Sequence, residues 1–480
     1  MRIRWKTFTS TPWLWAMAVA ILIISSVVTT AYLVALLRDR PVLDGEGEIL
    51  TEASRLRMRL PLYTDPLVGA FDQGPYPTRA YVLYPPLWSW VLSWLPAKEA
   101  PLLGRVVSGL MWLGTLMFVL RTAARRERRG VAIAALYLMG SHLLATFAVC
   151  ARPDTAAVCL AALALLLAVR RAHAGALCGA LFALAGWLKP NVLGLGAGVA
   201  VALLLERPFS VAALVRRIWP PLSGVLAVSV PVACILYTSS DGTFLDHLRL
   251  SVGQELRLDL WWDQVSRRLL FLGPFALVLV MGWRGRSDPR VRIAFFAVAV
   301  NLAWMLFCFA KVGAASNYWM EPALGAVILV AHAPWPAWSA RTAQALGALA
   351  IAHAIWLTYV SAEGVLEAFE KLPARTQLVQ RARATCRTQP SDVILSNGAG
   401  IEYMANDRVL APFFQTYALI SAGRLPASTW VADIERPEAK CVLAEGPLPS
   451  IPAAPAVHET LTRKFVFEAE AGDLRLYRAR

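Results

Sequence analysis

The chain has 480 residues, of which 57% are hydrophobic and only 16% are charged. That balance excludes an ordinary soluble protein of this length and predicts many membrane-spanning helices. The formal net charge of +15 would suggest a nucleic-acid partner in a soluble protein. In a membrane protein it is typical of cytoplasmic loops, which collect Arg and Lys, so we expect no nucleic acid. An anionic lipid substrate would favour the same charge.

The N-terminal part predicts a membrane hairpin with a long outer loop. The first apolar run, at about residues 13–37, is too long for a cleaved signal peptide and predicts a retained span. Arg2, Arg4 and Lys6 precede it, which places the N-terminus in the cytoplasm. A second span at about 102–120 ends at the densest arginine cluster of the chain. The loop between the spans, residues 38–100, is therefore expected on the outer face.

Nine further apolar runs alternate with basic turns. They lie at about residues 131–149, 155–169, 175–188, 192–205, 222–237, 269–283, 293–310, 319–333 and 346–360. The pattern predicts an all-α, polytopic membrane domain of about eleven transmembrane helices over residues 1–362, with the C-terminus outside. Gly194, Gly196 and Gly198 follow no strand, so we interpret this glycine run as close helix packing and not as a nucleotide site.

After about Glu363 the composition becomes that of a soluble domain, and we predict a small α/β extracytoplasmic domain at residues 363–480. Strands are expected at 392–395 and 440–443, a short helix at 400–405, and a terminal hairpin at 465–477 that turns near Gly472. Cys386 and Cys441 each stand close to a predicted strand in an oxidising compartment. A disulfide and two buried thiols both remain open.

The first outer loop carries an unusual concentration of acids. Asp44, Glu46 and Glu48 stand at its head, just outside a span, where carboxylates are costly and indicate a functional site. Residues 49–56 have their apolar side chains at helical spacing, which predicts an amphipathic helix on the membrane surface. The proline pair at 85–86 is expected to begin a second helix, whose tryptophans would lie at the headgroup level.

Other polar residues gather at the predicted outer ends of spans. They are Tyr84, Arg152, Asp154, Lys189, Arg249, Lys311, Asn317, Tyr318 and Glu321. Transfer of a sugar from a lipid phosphate needs a carboxylate that deprotonates the acceptor hydroxyl, and cations that meet the charge of the departing phosphate. Glu46 or Asp44 is the candidate general base. Arg152, Lys189 and Lys311 are the candidate phosphate ligands.

Each candidate also has a structural interpretation. Glu46 and Glu48 would cap the first loop helix or pair with its arginines. Arg152 and Asp154 would form a salt bridge, and the two lysines would extend to the interface. The Asn-Tyr pair at 317–318 would anchor a span at the interface, and the tyrosine before the proline pair would shape the loop. Glu321 lies just inside a predicted span, where an acid is usually functional or paired.

Several motifs occur in a characteristic order. They are Gly45-Glu46-Gly47, Ala53-Ser54-Arg55-Leu56, Pro61-Leu62-Tyr63, Tyr84-Pro85-Pro86-Leu87, Arg152-x-Asp154, Lys189-Pro190 and the run from Gly313 through Asn317-Tyr318 to Glu321. This set resembles the GT-C membrane glycosyltransferases, which include protein O-mannosyltransferases and bacterial aminoarabinose transferases. The resemblance covers most of the chain. It implies a polyprenyl-phosphate-sugar donor, chemistry on the outer face of a bacterial inner membrane, and Glu46 as the match to the family's acid.

These observations predict an inverting glycosyltransferase that uses a hydroxyl of a lipid, glycan or protein acceptor. Some GT-C enzymes use a divalent metal, which Asp44 and Glu46 could bind, but we expect no metal and no cofactor here. A polytopic transporter or a flippase for lipid-linked sugars is the main alternative; it would show repeats and broken helices with polar residues near the midplane. A non-catalytic scaffold is the third, and its acids could be neutralised without consequence.

Overall fold

The computed structural model describes residues 12–39, 41–43, 45–64, 82, 84–124, 147–252, 256–266, 269–311, 316–334, 340–410, 413–450, 452 and 454–480. Most of these residues are helical, and one small sheet lies near the C-terminus. Asp44 and most of the predicted span at 131–149 lie outside the described residues.

Helices form most of the chain before residue 387. They are α1 Pro12–Asp39, α2 Glu46–Arg57, α3 Leu87–Ser93, α4 Ala100–Ala124, α5 Pro153–Arg171, α6 Ala176–Leu188, α7 Gly194–Leu204, α8 Val211–Ser239, α9 Thr243–Val252, α10 Leu258–Ser266, α11 Leu269–Gly285, α12 Pro289–Cys308, α13 Met320–His332 and α14 Ala340–Cys386. A 3₁₀ turn, Ser316–Trp319, leads into α13. Each predicted span whose residues are described coincides with a helix.

Length and composition make four helices in the described part of the chain suitable for crossing a membrane. They are Ala100–Val119, Pro153–Arg171, Val211–Ser239 and Pro289–Cys308. Shorter apolar helices, which include α6 and α7, stand beside them. The buried hydrophobic side chains of these elements form one large cluster, and α5 is buried along most of its length at its centre. The first turn of α5 is therefore held in place by the packing of the whole helix.

Glycines allow some of these helices to approach closely. A Cβ on Gly198 of α7 would lie 2.3 Å from the carbonyl oxygen of Phe296 in α12. A Cβ on Gly194 would lie 2.7 Å from the Cα of Asn301 in the same helix. The interpretation of these two glycines as packing residues is therefore confirmed.

The C-terminal region, residues 387–480, contains a four-stranded sheet and short helices. The strands are β1 Val393–Ser396, β2 Ala439–Glu445, β3 Phe465–Ala471 and β4 Leu474–Ala479, in the order β1-β2-β4-β3. β1 is parallel to β2, and the other pairs are antiparallel. The helices are α15 Ala399–Asn406, α16 Phe413–Ser421, α17 Ala427–Glu435 and α18 Pro455–Lys464. The predicted strands, short helix and hairpin are confirmed.

Helix α14 connects the last predicted span to this region. It continues without interruption past Glu363, so the change in composition lies inside a helix and not at a linker. A disulfide joins Cys386, at its last turn, to Cys441 in β2. Of the two alternatives for these cysteines, the bonded one is therefore observed.

Helix α2 has surroundings that differ from the prediction. Its helical residues agree with the expected ones, but its polar side chains are buried; Glu52 is 4% exposed and Arg55 is 5% exposed. The helix packs against α3 and against α15 of the C-terminal region. Other parts of the protein therefore cover the polar face of α2. The prediction that α2 lies on the membrane surface was wrong. In α3, Trp90 and Trp94 are exposed as expected, but Trp88 is buried against the helical core, so the prediction was wrong for that residue.

Candidate active site

Three of the predicted site residues meet around the buried carboxylate of a fourth. Asp154 lies in the first turn of α5 and is 1% exposed. The Nε of Arg152 is 3.2 Å from its Oδ2. The ammonium of Lys189 and the amide Nδ2 of Asn317 both donate to its Oδ1. Because two cations share one carboxylate, the cluster keeps a net positive charge that an anion could balance.

Two tyrosines flank the lysine of this cluster. The Lys189 ammonium is 5.1 Å from the ring centroid of Tyr318 and 5.9 Å from that of Tyr84, distances typical of cation–π contacts. The Tyr84 hydroxyl accepts a long hydrogen bond of 3.4 Å from Nη2 of Arg152. Burial raises the pKa of Tyr84 to about 12, while Arg152 opposes the rise and Asp154 adds to it. The phenol therefore stays neutral and leaves the cations available.

A narrow cleft opens beside the cluster between α5, α12 and α13. Its lining is Val158, Asn191, Val192, Trp304, Met305, Cys308, Asn317, Tyr318 and Glu321. Asn317 belongs to both features: its Nδ2 binds Asp154, and its buried Oδ1 has no hydrogen-bond partner among the described residues. Glu321 is 5% exposed and accepts the backbone N–H of Leu195, at the start of α7, at 3.1 Å. Acceptor oxygens therefore line a cleft next to a pair of cations.

Glu46, the sequence candidate for the general base, is completely buried. Arg105 of α4 binds both of its oxygens, with Nη2 2.5 Å from Oε2 and Nε 3.0 Å from Oε1. The backbone N–H of Ala151 donates to Oε1 at 2.7 Å, and that of Leu43 donates to Oε2 at 2.9 Å. A general base must reach the proton that it removes. With four donors around its carboxylate, Glu46 is better suited to positioning the chain around Arg152.

The acids on either side of Glu46 differ from it. Glu48 is partly exposed in the first turn of α2, and its charge acts on the phenol of Tyr84, so its carboxylate lies near the cluster. Asp44 lies outside the described residues, but the next residue, Gly45, contacts the cluster. A Cβ on Gly45 would lie 3.0 Å from the guanidinium carbon of Arg152, and its φ of +76° also favours glycine. The head of the acidic loop therefore lies against Arg152.

The two remaining cations, Lys311 and Arg249, are not among the described partners of Asp154. Lys311 follows α12, and its backbone pairs with Leu256, one turn beyond Cys308 of the cleft. Arg249 is exposed and pairs with Asp246 of its own helix at 3.3 Å. The structure does not bring Arg249 into the cluster, and its position gives no support to a role in substrate binding.

Sequence reasoning missed two residues that hold the acidic loop. Arg105 lies inside the predicted span at 102–120, and the available signal is that a lone cation in an apolar run has a buried partner. His247 of α9 is one of six histidines that are dispersed along the sequence, and its spacing from the others gives no signal of a site. Its Nδ1 accepts the backbone N–H of Val82 at 3.1 Å, and its Nε2 is 2.6 Å from the carbonyl oxygen of Thr64. It thus ties two parts of the first loop to α9.

Within the ranges given above, no group of three or more His, Cys, Asp and Glu side chains is arranged to hold an ion. The pairing of Glu46 with Arg105 also disfavours the Asp44–Glu46 metal site considered from the sequence.

Known structures share this fold. ArnT from Cupriavidus metallidurans in the apo state matches with a TM-score of 0.54 at 14% sequence identity, over 98% of this chain and 98% of that one. The same protein bound to undecaprenyl phosphate matches with a TM-score of 0.55 at 13% identity, over 95% of this chain and 97% of that one. No known family model matches the sequence, and no curated protein matches it. The resemblance to the GT-C membrane glycosyltransferases is therefore confirmed at the level of the fold.

Proposed function

We propose that the chain is a membrane glycosyltransferase that moves a sugar from a polyprenyl-phosphate-linked donor to a hydroxyl of an acceptor. The observation that carries the proposal is the buried cluster of Arg152, Lys189 and Asp154, which opens onto a cleft lined by acceptor oxygens. The fold adds support, because the neighbour of the same fold is described as bound to undecaprenyl phosphate.

The cations of the cluster are suited to the donor phosphate. Arg152 and Lys189 are oriented by one carboxylate and are largely shielded from water, with side-chain exposures of 14% and 2%. Charges fixed in such a site interact more strongly with an anion than charges in water do. The negative charge on the phosphate grows as the bond to the sugar breaks, so these cations would stabilise the transition state more than the bound donor.

The cleft is suited to the sugar. Hydroxyl groups donate hydrogen bonds, and Asn317 and Glu321 present oxygens that accept them. Asn317 bridges the cleft and the phosphate cluster through its bond to Asp154. A sugar joined to a phosphate would therefore place each of its two parts against groups of complementary chemistry.

The reaction would be a direct displacement. The acceptor oxygen attacks the anomeric carbon, the bond from that carbon to the phosphate oxygen breaks, and the polyprenyl phosphate leaves with the electron pair. A carboxylate takes the hydroxyl proton. We assign that role to Asp44, with Glu48 as the alternative, since Arg105 and two backbone amides occupy the carboxylate of Glu46. One displacement inverts the anomeric centre. None of these steps requires a cofactor.

We further propose that this chemistry takes place on the outer face of a bacterial inner membrane. The N-terminus would be cytoplasmic, and the transmembrane catalytic domain would comprise residues 1–362. The extracytoplasmic domain, residues 363–480, would lie where it can meet a lipid, glycan or protein acceptor. The positive N-terminus and the basic turns between spans support this orientation.

The test is a transfer assay with purified full-length protein in detergent and a panel of undecaprenyl-phosphate sugars. We expect that one donor gives acceptor-dependent release of undecaprenyl phosphate, and that Lys189→Met abolishes it. Binding of undecaprenyl phosphate without release from any member of the panel would contradict transfer. Movement of an intact donor across proteoliposomes would instead identify a flippase.

A further inference from the structure

Helix α15 of the C-terminal region contacts the acidic loop on both sides of Glu46. Before Glu46, the backbone N–H of Val42 is 3.3 Å from the sulfur of Met404. After Glu46, the hydroxyl of Thr51 accepts the backbone N–H of Val409, just beyond α15, at 2.8 Å. The same hydroxyl donates to the carbonyl of Gly47 at 2.8 Å. The C-terminal region thus encloses the turn that carries Glu46.

Two glycines, one in α2 and one in α15, allow the backbones of the loop and of α15 to come into direct contact. A Cβ on Gly47 of α2 would lie 2.2 Å from the carbonyl oxygen of Ala399. A Cβ on Gly400 of α15 would lie 2.1 Å from the carbonyl oxygen of Val42. Both obstacles are backbone atoms, which cannot move aside as a flexible side chain does. α15 therefore cannot move closer to the loop without displacing it.

The turn enclosed by α15 leads directly to the phosphate cluster. Glu46 fixes the backbone N–H of Ala151, and the next residue is Arg152. Gly45, on the other side of Glu46, lies against the guanidinium of Arg152. A continuous set of contacts therefore joins α15, the head of the acidic loop and the cation beside Asp154.

We propose that α15 is a positioning element for the phosphate cluster, with Gly400 of α15 and Thr51 of α2 as the positioning residues at their contact. The C-terminal region would thus be required for donor binding, in addition to any contact it makes with the acceptor. The inference rests on the proposed function, because its readout is affinity for the lipid phosphate. The contacts themselves do not depend on that function.

The experiment measures binding of undecaprenyl phosphate to full-length protein, together with the thermal midpoint Tm. Gly400→Ala forces α15 away from Val42, and we expect the Kd to rise about fivefold or more, the usual lower range for coupling between two sites. The matched control is Gly114→Ala in α4, where no described residue lies within 4 Å of the added methyl group. Its Kd should equal that of the wild type.

A second pair of variants keeps the test decisive if Gly400→Ala does not fold. Thr51→Val has the shape of threonine but cannot accept the N–H of Val409, whereas Thr51→Ser keeps the hydroxyl. We expect a weaker Kd for the valine variant and recovery in the serine variant, with both proteins monodisperse. The Tm of the valine variant should also fall, because the N–H of Val409 loses its acceptor. A purely structural contact would change Tm and leave Kd as in the wild type.

The two proposals fail in different ways. If the wild type does not bind undecaprenyl phosphate, the proposed donor class is wrong. If the wild type binds it, and the folded Thr51→Val or Gly400→Ala protein binds it equally well, the positioning role of α15 is overturned while the proposed function stands.

Discussion

The backbone N–H of Ala151 donates to Oε1 of Glu46 at 2.7 Å, although 105 residues separate the two in the chain. The bond joins the turn before α5 to the head of the acidic loop. Arg105 supplies the opposite charge from α4, so three segments meet at one carboxylate. Glu46 thus joins three segments of the fold, and this structural role as a junction distinguishes it from the acids beside it.

The first prediction concerns that junction. Glu46→Gln removes the partner of Arg105, whose side chain is 8% exposed, and loss of one member of a buried pair costs about 3–5 kcal/mol. We therefore expect a large fall in the thermal midpoint and in the yield of monodisperse protein. Asp44→Asn and Glu48→Gln should keep the wild-type thermal midpoint. Of these two variants, the one that removes the general base should abolish transfer. A stable but inactive Glu46→Gln protein would restore Glu46 as the base.

The junction also shows what the sequence can predict about the site. Arg152, Asp154, Lys189 and Asn317 are recognisable because each stands at an end of an apolar run. Their convergence on one carboxylate is not recognisable, since it depends on how α5, α6 and α13 pack. The role of Glu46 could not be assigned, because its partner Arg105 lies in a span whose composition gives no sign of the direction in which the guanidinium points.

The second prediction concerns the counter-charge of the cluster. Asp154→Asn leaves Arg152 and Lys189 buried near each other without the carboxylate that now binds both. We expect a loss of stability of about 3–5 kcal/mol. An anion that binds between the two cations would replace the missing charge. The rise in Tm on addition of undecaprenyl phosphate should therefore be larger for the variant than for the wild type, since ligands stabilise the state that they bind.

An equal rise in Tm in Asp154→Asn and in the wild type would contradict the proposal that the anion binds between the two cations. The same titration with undecaprenol, which lacks the phosphate, serves as the control, because it retains the lipid and removes the charge. It should raise Tm in neither protein.

The third prediction separates the buried cations from an exposed one. Lys189→Met removes a charge that is 2% exposed, and a hydrogen bond to a charged group is worth about 1.5–3 kcal/mol. The Kd for undecaprenyl phosphate should rise roughly 10- to 100-fold. Arg249→Met is the matched control, because Arg249 is 76% exposed and pairs within its own helix. Its Kd should stay within about twofold of the wild type. An equal loss of affinity for undecaprenyl phosphate in both variants would indicate a general effect of protein charge and no specific site.

The fold was more predictable than the site. Long apolar runs give the positions of helices because backbone in lipid must satisfy its hydrogen bonds within the segment, as a helix does. Short apolar runs beside turn residues were sufficient to predict β1, β2 and the final hairpin. The surroundings of α2 could not be predicted, because an amphipathic pattern fits headgroups and a covering domain equally well. The pairing of Cys386 with Cys441 stayed open for a similar reason: spacing in the chain does not give distance in space.

The last prediction concerns that disulfide, which ties the end of α14 to β2 across 55 residues. Loop-closure entropy for this separation corresponds to about 4 kcal/mol. We expect Cys386→Ser with Cys441→Ser to lower Tm, and a reductant to lower the Tm of the wild type but not of the double variant. Maleimide labelling under denaturing conditions should reach both cysteines only after reduction. The five other cysteines are replaced by alanine in both proteins so that labelling reports this pair alone. Labelling of Cys386 and Cys441 without reductant would contradict the bond. Because α15 packs beside α14, reduction should also weaken undecaprenyl phosphate binding if the C-terminal region positions the cluster.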